Sequence, residues 1–250
     1  MDLSKMDATK IWAIMQPNLF PWLGYFDRIW RSDAYIFFDH VQRPRGKNWV
    51  QRVKVMCGPE AKWLTIPIQK SGHSVERLSE ARISEPGPSQ AQLLEKLHNW
   101  YKGAPKFDET MEFMRSFENT ETSLARYNAD FIAKTSAALD LDNEFYFSSE
   151  KEILMNSELR ETDMILATAE QFEVGRYLSG SGCLDFLEVD RFAEENIQIS
   201  LQYYPAPSYP QFGQSEFVPG LSIIDALMNL GFDGTEKLIK ETPLSHQQFE

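Results

Sequence analysis

The chain has 250 residues, with 25 Lys+Arg against 37 Asp+Glu and a formal net charge of −12. Its 42% hydrophobic and 25% charged residues are those of an ordinary globular protein, which excludes collagen-like, coiled-coil and disordered classes. The acidic balance speaks against a general nucleic-acid binder, DNA included, because such binding rests on Lys and Arg neutralising phosphates.

Met1 to Lys10 is polar and carries two acids, so residues 1–10 are expected to be a short disordered lead rather than a signal peptide. Ile11–Met15 is an apolar run bounded by Pro17 and predicts a buried strand. After Pro21, the apolar residues Leu23, Phe26, Ile29 and Trp30 recur at helical spacing. Ala34–Phe38 is a second β-type run, ending at Asp39. Strand, loop, helix and strand in that order predict a parallel pair, with the first loop at the sheet's carboxyl edge. The expected class is α/β, with a mainly parallel N-terminal sheet, flanking helices and a helix-rich second half.

The loop Gln42–Asn48 leads to two β-like runs, Trp49–Met56 and Lys62–Ile68, with Cys57-Gly58-Pro59-Glu60 as a hairpin turn. Pro86-Gly87-Pro88 marks a break, and a sub-boundary near 86–90 would set off a helical subdomain over 89–171. Ser89 is expected to cap a helix over Gln90–Trp100. Phe107–Phe117, Thr122–Leu139 and Met155–Gln171 read as further helices. Arg176–Leu178 reads as a short strand entering the loop Ser179–Gly182, and Cys183–Glu188 as a short helix. Ile197–Tyr203 alternates like a strand, and four prolines between 205 and 219 make an extended loop. Ser222–Leu230 reads as a last helix stopped by Gly231. One α/β domain is therefore expected over 11–235, with a tail over 236–250.

The loop after the first strand is the most informative segment. Gln16, Pro17 and Gly24 lie where a strand feeds a helix N-terminus, a place whose free N–H groups suit an anion. Asp39 and His40 follow the second strand directly and are candidates for acid–base work, with Gln42 beside them. From Arg43 to Arg77 eight bases meet two acids, a basic island of about +6 on an acidic protein. Arg45, Arg52, Lys70 and His73 belong to it and predict a small anionic substrate such as a nucleotide diphosphate or phosphopantetheine. His98 is a further candidate base. Ser179, Gly180 and Ser181 resemble a backbone nest for an anion, with Asp185 within helical reach. Cys183 stands at an expected helix start after a glycine-rich loop, but a structural or incidental role is favoured for it and for Cys57. With two cysteines and no i, i+4 histidine pair, no metal site is expected. The two cysteines suit a reducing, cytoplasmic setting. No run approaches the ~20 apolar residues of a membrane span.

Ile14-Met15-Gln16-Pro17 followed by Phe20-Pro21-Trp22-Leu23-Gly24-Tyr25-Phe26 resembles the opening signature of the WbqC-like family. Ser32-Asp33-Ala34, Asp39 with Val41-Gln42, Trp49 to Arg52, Leu64-Thr65-Ile66-Pro67, Tyr177-Leu178-Ser179-Gly180 and Leu221-Ser222-Ile223-Ile224-Asp225 occur in the family's order. The match runs over residues 11–232. Asn18, Gln51 and Met228 depart mildly from its usual pattern. The resemblance implies bacterial O-antigen or related surface-polysaccharide synthesis, with transfer of an aminoacyl group such as glycine onto an amino sugar. An acyl thioester, on a carrier protein or CoA, or an aminoacyl-tRNA would then be the donor. Asp39 or His98 would serve as base, the Gln16 amide and Ser179–Gly182 amides as oxyanion donors, and Arg45 and Arg52 as phosphate ligands. Two alternatives stand beside it. One is a nucleotidyl-transfer enzyme of HUP-like architecture, although Pro21-Trp22-Leu23-Gly24 lacks the histidines of an HxGH motif. The other is a sugar-nucleotide-binding protein without catalysis.

Overall fold

The computed structural model describes residues 9–46, 48–70, 76–117, 120–156, 159, 161–183, 187–243 and 246–248. Most of the lead, His73 and Asp185 lie outside the described residues. The central strand is β1 (Ile11–Met15), followed by α1 (Leu23–Trp30) and β2 (Ala34–Phe37). The carboxylate of Asp33 accepts a 2.7 Å hydrogen bond from the Ile11 amide and ties the start of β1 to the turn before β2. β1 pairs in parallel with β2, Trp12 opposite Ala34 and Met15 opposite Phe37.

The chain then makes an antiparallel hairpin of β3 (Arg52–Cys57) and β4 (Glu60–Thr65), with Gly58-Pro59 at its tip. Three helices follow: α2 (Pro86–Tyr101), α3 (Phe107–Ser116) and α4 (Leu124–Ala138). β5 (Glu144–Phe147) returns to the sheet beside β2. After α5 (Glu152–Met155) and α6 (Glu161–Gln171), β6 (Arg176–Gly180) pairs on the other side of β1. α7 (Val189–Glu194) leads to β7 (Gln198–Gln202), and α8 (Ile223–Glu241) to β8 (His246–Gln248). The sheet order is β5-β2-β1-β6-β7-β8, with β8 antiparallel to β7 and the other pairings parallel.

The two-residue period of the strands divides the apolar side chains between two cores. Ala13, Tyr35 and Phe37, with Phe145 and Phe147 against them, face a large core built with α1, α2, α3, α4, α8 and the hairpin. Trp12, Ile14, Ala34 and Ile36 face a smaller one with α6 and α7. α1 and α4 thus cover one face on the way from β1 outward to β5, and α6 and α7 the opposite face on the way through β6 to β7.

Several expectations are corrected. The stretch 89–171 is not a helical unit apart, because β5 joins the main sheet and α2 to α4 share a core with β3 and β4. Ser89 is not a cap. Pro86 opens α2 after Glu85, and the Ser89 hydroxyl donates to the Ser84 carbonyl inside the first turns. The short helix expected over Cys183–Glu188 falls in part outside the described residues; Ser181–Cys183 is a 3-10 turn, and Val189–Glu194 is a described helix. Gly231 breaks helical geometry with φ 73°, yet the chain resumes and α8 runs to Glu241, well into the expected tail. His246–Gln248 then adds an edge strand.

Asn128 on α4 is fully buried and joins two loops. Its Nδ2 donates to the Pro17 carbonyl at 2.9 Å and to the Val50 carbonyl at 2.8 Å. Pro17 and Val50 are both buried, so Asn128→Ala should lower stability by about 2–4 kcal/mol, read from urea unfolding. A loss below half a kcal/mol would show that the two loops are held by other contacts.

Candidate functional site

The strand order gives the chain a switch point. Progress from β1 runs one way through β2 to β5 and the other way through β6 to β7. In open parallel sheets, ligands bind in the crevice at the strands' carboxyl ends where the order reverses. A cavity of about 500 Å³ lies there. Ile14, Met15 and Gln16 reach it from β1, Phe38 from just beyond β2, and Tyr177 and Cys183 from β6 and the turn after it. Trp22, Trp49 and Ile165 complete apolar walls, and Asn18, Asn48 and Arg28 add polar groups. A second cavity of similar size opens by α4 and β5, lined by Phe147, Arg126, Asp130 and Lys134. It sits at the sheet's outer strand rather than at the reversal.

Arg28 is the cation of the first cavity. It stands on α1 and is only 8% exposed. Its Nε donates to Gln202 Oε1 at 2.9 Å and its Nη1 to the Met15 sulfur at 3.2 Å. Gln202 in turn donates to the Gly24 carbonyl at 3.2 Å and to Asp27 Oδ2. The Asp27 carboxylate is engaged by Arg31 at 2.9 Å, so its charge is compensated away from Arg28. No carboxylate among the described residues pairs with Arg28. Three tyrosines, Tyr25, Tyr35 and Tyr177, lie close enough to feel its charge. Burial holds the pKa of Tyr25 and Tyr35 above the ordinary phenol range, with Arg28 opposing. Burial pushes Tyr177 up to about 12, with Cys183 adding and Ser179 and Arg28 opposing. All three phenols are therefore protonated at neutral pH and act as hydrogen-bonding groups, not bases.

The mouth is aromatic and basic. Trp22 packs on Trp49 with centroids 5.4 Å apart, and Trp49 on Trp63 at 5.3 Å. Trp49 and Trp63 remain 40% and 37% exposed, an unusual outlay of indole to water. Arg52 lies 3.9 Å over the Trp63 ring and Lys54 5.4 Å from it. Asn48 fixes the adjoining loop: it donates to the carbonyls of Pro44 and Gly46, both at 3.0 Å, and accepts from the Gln51 amide.

The sequence candidates distribute unevenly over this geometry. Gln16 lines the cavity. Arg52 does not line the cavity but stacks on Trp63, which packs on the lining residue Trp49, and Arg45 is exposed on the loop whose Pro44 and Asn48 line it. Gln42 and Lys70 are exposed away from the lining, with Gln42 bridging to Arg77. Pro17 is buried, and its carbonyl is spent on Asn128. Gly24 serves close packing rather than ligand approach, since a Cβ there would meet the Tyr204 ring at 2.7 Å. Ser179 and Gly180 belong to β6 and pair with β7, so they form no nest with Ser181. Nor does either candidate base reach the cavity. The Asp39 carboxylate is buried and accepts from Ser148 Oγ at 3.1 Å, the Ser149 amide at 2.9 Å and Ser149 Oγ at 2.7 Å, capping a 3-10 turn. His98 stands on α2 with its ring against Phe107.

Sequence reading missed Arg28, Trp22, Asn18 and Tyr177. Arg28 had one signal. It lies in an eight-residue helix otherwise rich in aromatic and aliphatic residues, where a charge needs a reason. Among the described residues no group of three or more His, Cys, Asp or Glu is placed to hold a metal, and no helix is long and apolar enough to cross a membrane.

A family model described as the WbqC-like protein family matches residues 16–237. The chain is similar to a protein of Mycobacterium tuberculosis (strain ATCC 25618 / H37Rv) named Uncharacterized protein Rv1507c, 24% identical over 230 residues that cover 90% of this chain and 96% of the relative. No solved structure matches the chain.

His40 is buried beside Asp39, and its Nδ1 lies 2.8 Å from Ser148 Oγ. Burial and then Arg77 lower its pKa to about 4. Between that value and an unfolded pKa near 6.5 the unfolded chain holds a proton that the folded chain lacks, so stability falls as pH falls. Burial raises the Asp39 pKa, which acts in the opposite sense with or without the imidazole. On going from pH 7 to 4.5, the wild type should lose up to about 3 kcal/mol more than His40→Gln, measured by urea unfolding at both pH values. Equal losses in the two proteins would show that the imidazole titrates as in the unfolded chain.

Proposed function

The chain belongs to the WbqC-like protein family, and from that premise we propose an acyl or aminoacyl transferase, with glycine as one candidate group, acting on an amino-sugar nucleotide. The setting is bacterial surface-polysaccharide (O-antigen) synthesis or a related small-molecule pathway. The observation that carries the reading is the aromatic-walled cavity at the switch point, with a buried cation inside and a basic, tryptophan-lined mouth. A sugar nucleotide has matching parts: an anionic diphosphate and rings with flat faces.

Arg52 and Arg45 take the diphosphate at the mouth. The amine enters between Gln16 and Tyr177. It attacks the carbonyl of a thioester on CoA or a carrier protein, or of an aminoacyl-tRNA ester. The new C–N bond forms, the C–S or C–O bond breaks, and the leaving sulfur or oxygen departs with the proton lost by nitrogen. Gln16 and Asn18, which line the cavity, donate from their side-chain amides to the carbonyl oxygen as charge develops there. Asp39 and His98 hold no part of this step, because Asp39 is spent on Ser148 and Ser149 and His98 packs on Phe107.

A second reading is a sugar-nucleotide-binding protein without turnover. It is favoured by the fact that no carboxylate or imidazole among the described residues lines the cavity. One experiment separates the two. Incubation of the protein with uridine-diphosphate amino sugars and glycyl or acetyl donors, read by mass, should give an N-acylated sugar nucleotide. Gln16→Ala should lower kcat/KM about a hundredfold. Ligand binding with no product from any donor would favour the second reading, and neither binding nor product would remove both.

A further inference from the structure

The Arg28 guanidinium is less well satisfied than its burial demands. A guanidinium carries five N–H donors. One goes to Gln202 and one to the sulfur of Met15, a weak acceptor, and the others find no acceptor among the described residues. A buried charge without a counter-charge is costly and is ordinarily paired. Asp27, next to Arg28 in sequence, is committed to Arg31 and Gln202.

The fold also makes room for this group. A Cβ built on Gly180 would lie 2.4 Å from Arg28 Nη2 and 3.1 Å from its Cζ. Gly180 is an ordinary β6 residue without positive φ, so its backbone does not require glycine. Its missing side chain is the space into which the guanidinium extends. Helix α1, strand β7 and strand β6 therefore each supply something to hold one charge at the cavity: the arginine, Gln202 and Gly180.

We propose that Arg28 is the receptor for a single small anionic group, a carboxylate or a phosphate oxygen, which enters the switch-point cavity and completes the hydrogen bonding of the guanidinium. The proposal rests on the reading of that cavity as the substrate site, but it concerns binding alone. An inert protein can still obey it, and an active one can violate it. The group is compact, because Met15 and Gly180 stand against the guanidinium. A planar carboxylate or one phosphate edge meets a guanidinium in two parallel hydrogen bonds.

The test uses the full chain and thermal-shift and calorimetric titrations with three probes: acetate, inorganic phosphate and uridine diphosphate, each against chloride at matched ionic strength. At least one probe should raise Tm and bind saturably. Stabilisation by acetate alone identifies a carboxylate ligand, and by the phosphorus probes alone a phosphate. Arg28→Met should weaken the effective probe about a hundredfold or more, as loss of one partner of a buried charge pair does. Without ligand, Arg28→Met should melt at or above the wild-type temperature, because it removes an uncompensated buried charge. Gly180→Ala displaces the guanidinium and should weaken the same probe while leaving the protein folded. A merely structural arginine predicts the reverse: a lower melting temperature for Arg28→Met and no specific response to any probe. That result, or full probe binding by Arg28→Met, would overturn the proposal.

Discussion

The charge balance around α1 organises the centre of this molecule. Arg28 and Arg31 flank Asp27 on α1; the carboxylate pairs with Arg31 alone, and Gln202 stands between that carboxylate and Arg28. Arg31 takes the carboxylate and also donates to the Thr242 carbonyl at 2.8 Å, which ties α1 to the end of α8. Arg28 takes the amide oxygen and turns toward β1 and β6. One amide side chain on β7 thus orients both charges, and the positive excess is left inside the cavity. Exchange of Gln202 for an acid would fill the site with its own counter-ion. An amide holds the arginine without neutralising it.

The surrounding fold keeps that charge reachable. Reversal of strand order on either side of β1 leaves a crevice that the helices cannot cover, since those on each face serve opposite halves of the sheet. The loop after β1 and the chain leading into the β3–β4 hairpin wall the crevice, and Asn128 clamps both from α4. Trp22, Trp49 and Trp63 extend the wall outward to Arg52. Buried polar contacts here hold loops in place, and the Asp39–Ser148–His40 cluster does the same between β2 and the 3-10 turn after β5.

The opening of the fold was legible in the sequence because local signals agreed. Ile11–Met15, the helical spacing from Leu23 to Trp30, and Ala34–Phe38 each fixed one element of the strand–helix–strand unit. The hairpin tip at Gly58-Pro59 was equally plain. β5 was not, because Glu144–Phe147 is only four residues and its pairing with β2 is formed across more than a hundred residues of chain. α8 outran its expected stop because local helix geometry resumes after Gly231. The site was legible in part. Sequence pointed to the right loop and to Gln16, and to a basic window whose Arg52 stacks on Trp63, the neighbour of the lining residue Trp49. Adjacency to a strand end made Asp39 look catalytic, whereas its use as a cap depends on Ser148 and Ser149, distant in sequence. Arg28 was hidden because its significance lies in an absent partner, which only the assembled neighbourhood reveals.

The central claim is that the crevice between β1 and β6, with Arg28 inside it, is where this protein meets its substrate. A crystal structure with a uridine-diphosphate amino sugar bound tests it most directly. The account predicts the ligand in that cavity, its ring against Trp22 or Trp49 and an anionic oxygen within hydrogen-bond distance of Arg28. Ligand lodged instead in the cavity by Arg126 and Lys134, with the β1–β6 crevice unchanged, would contradict it.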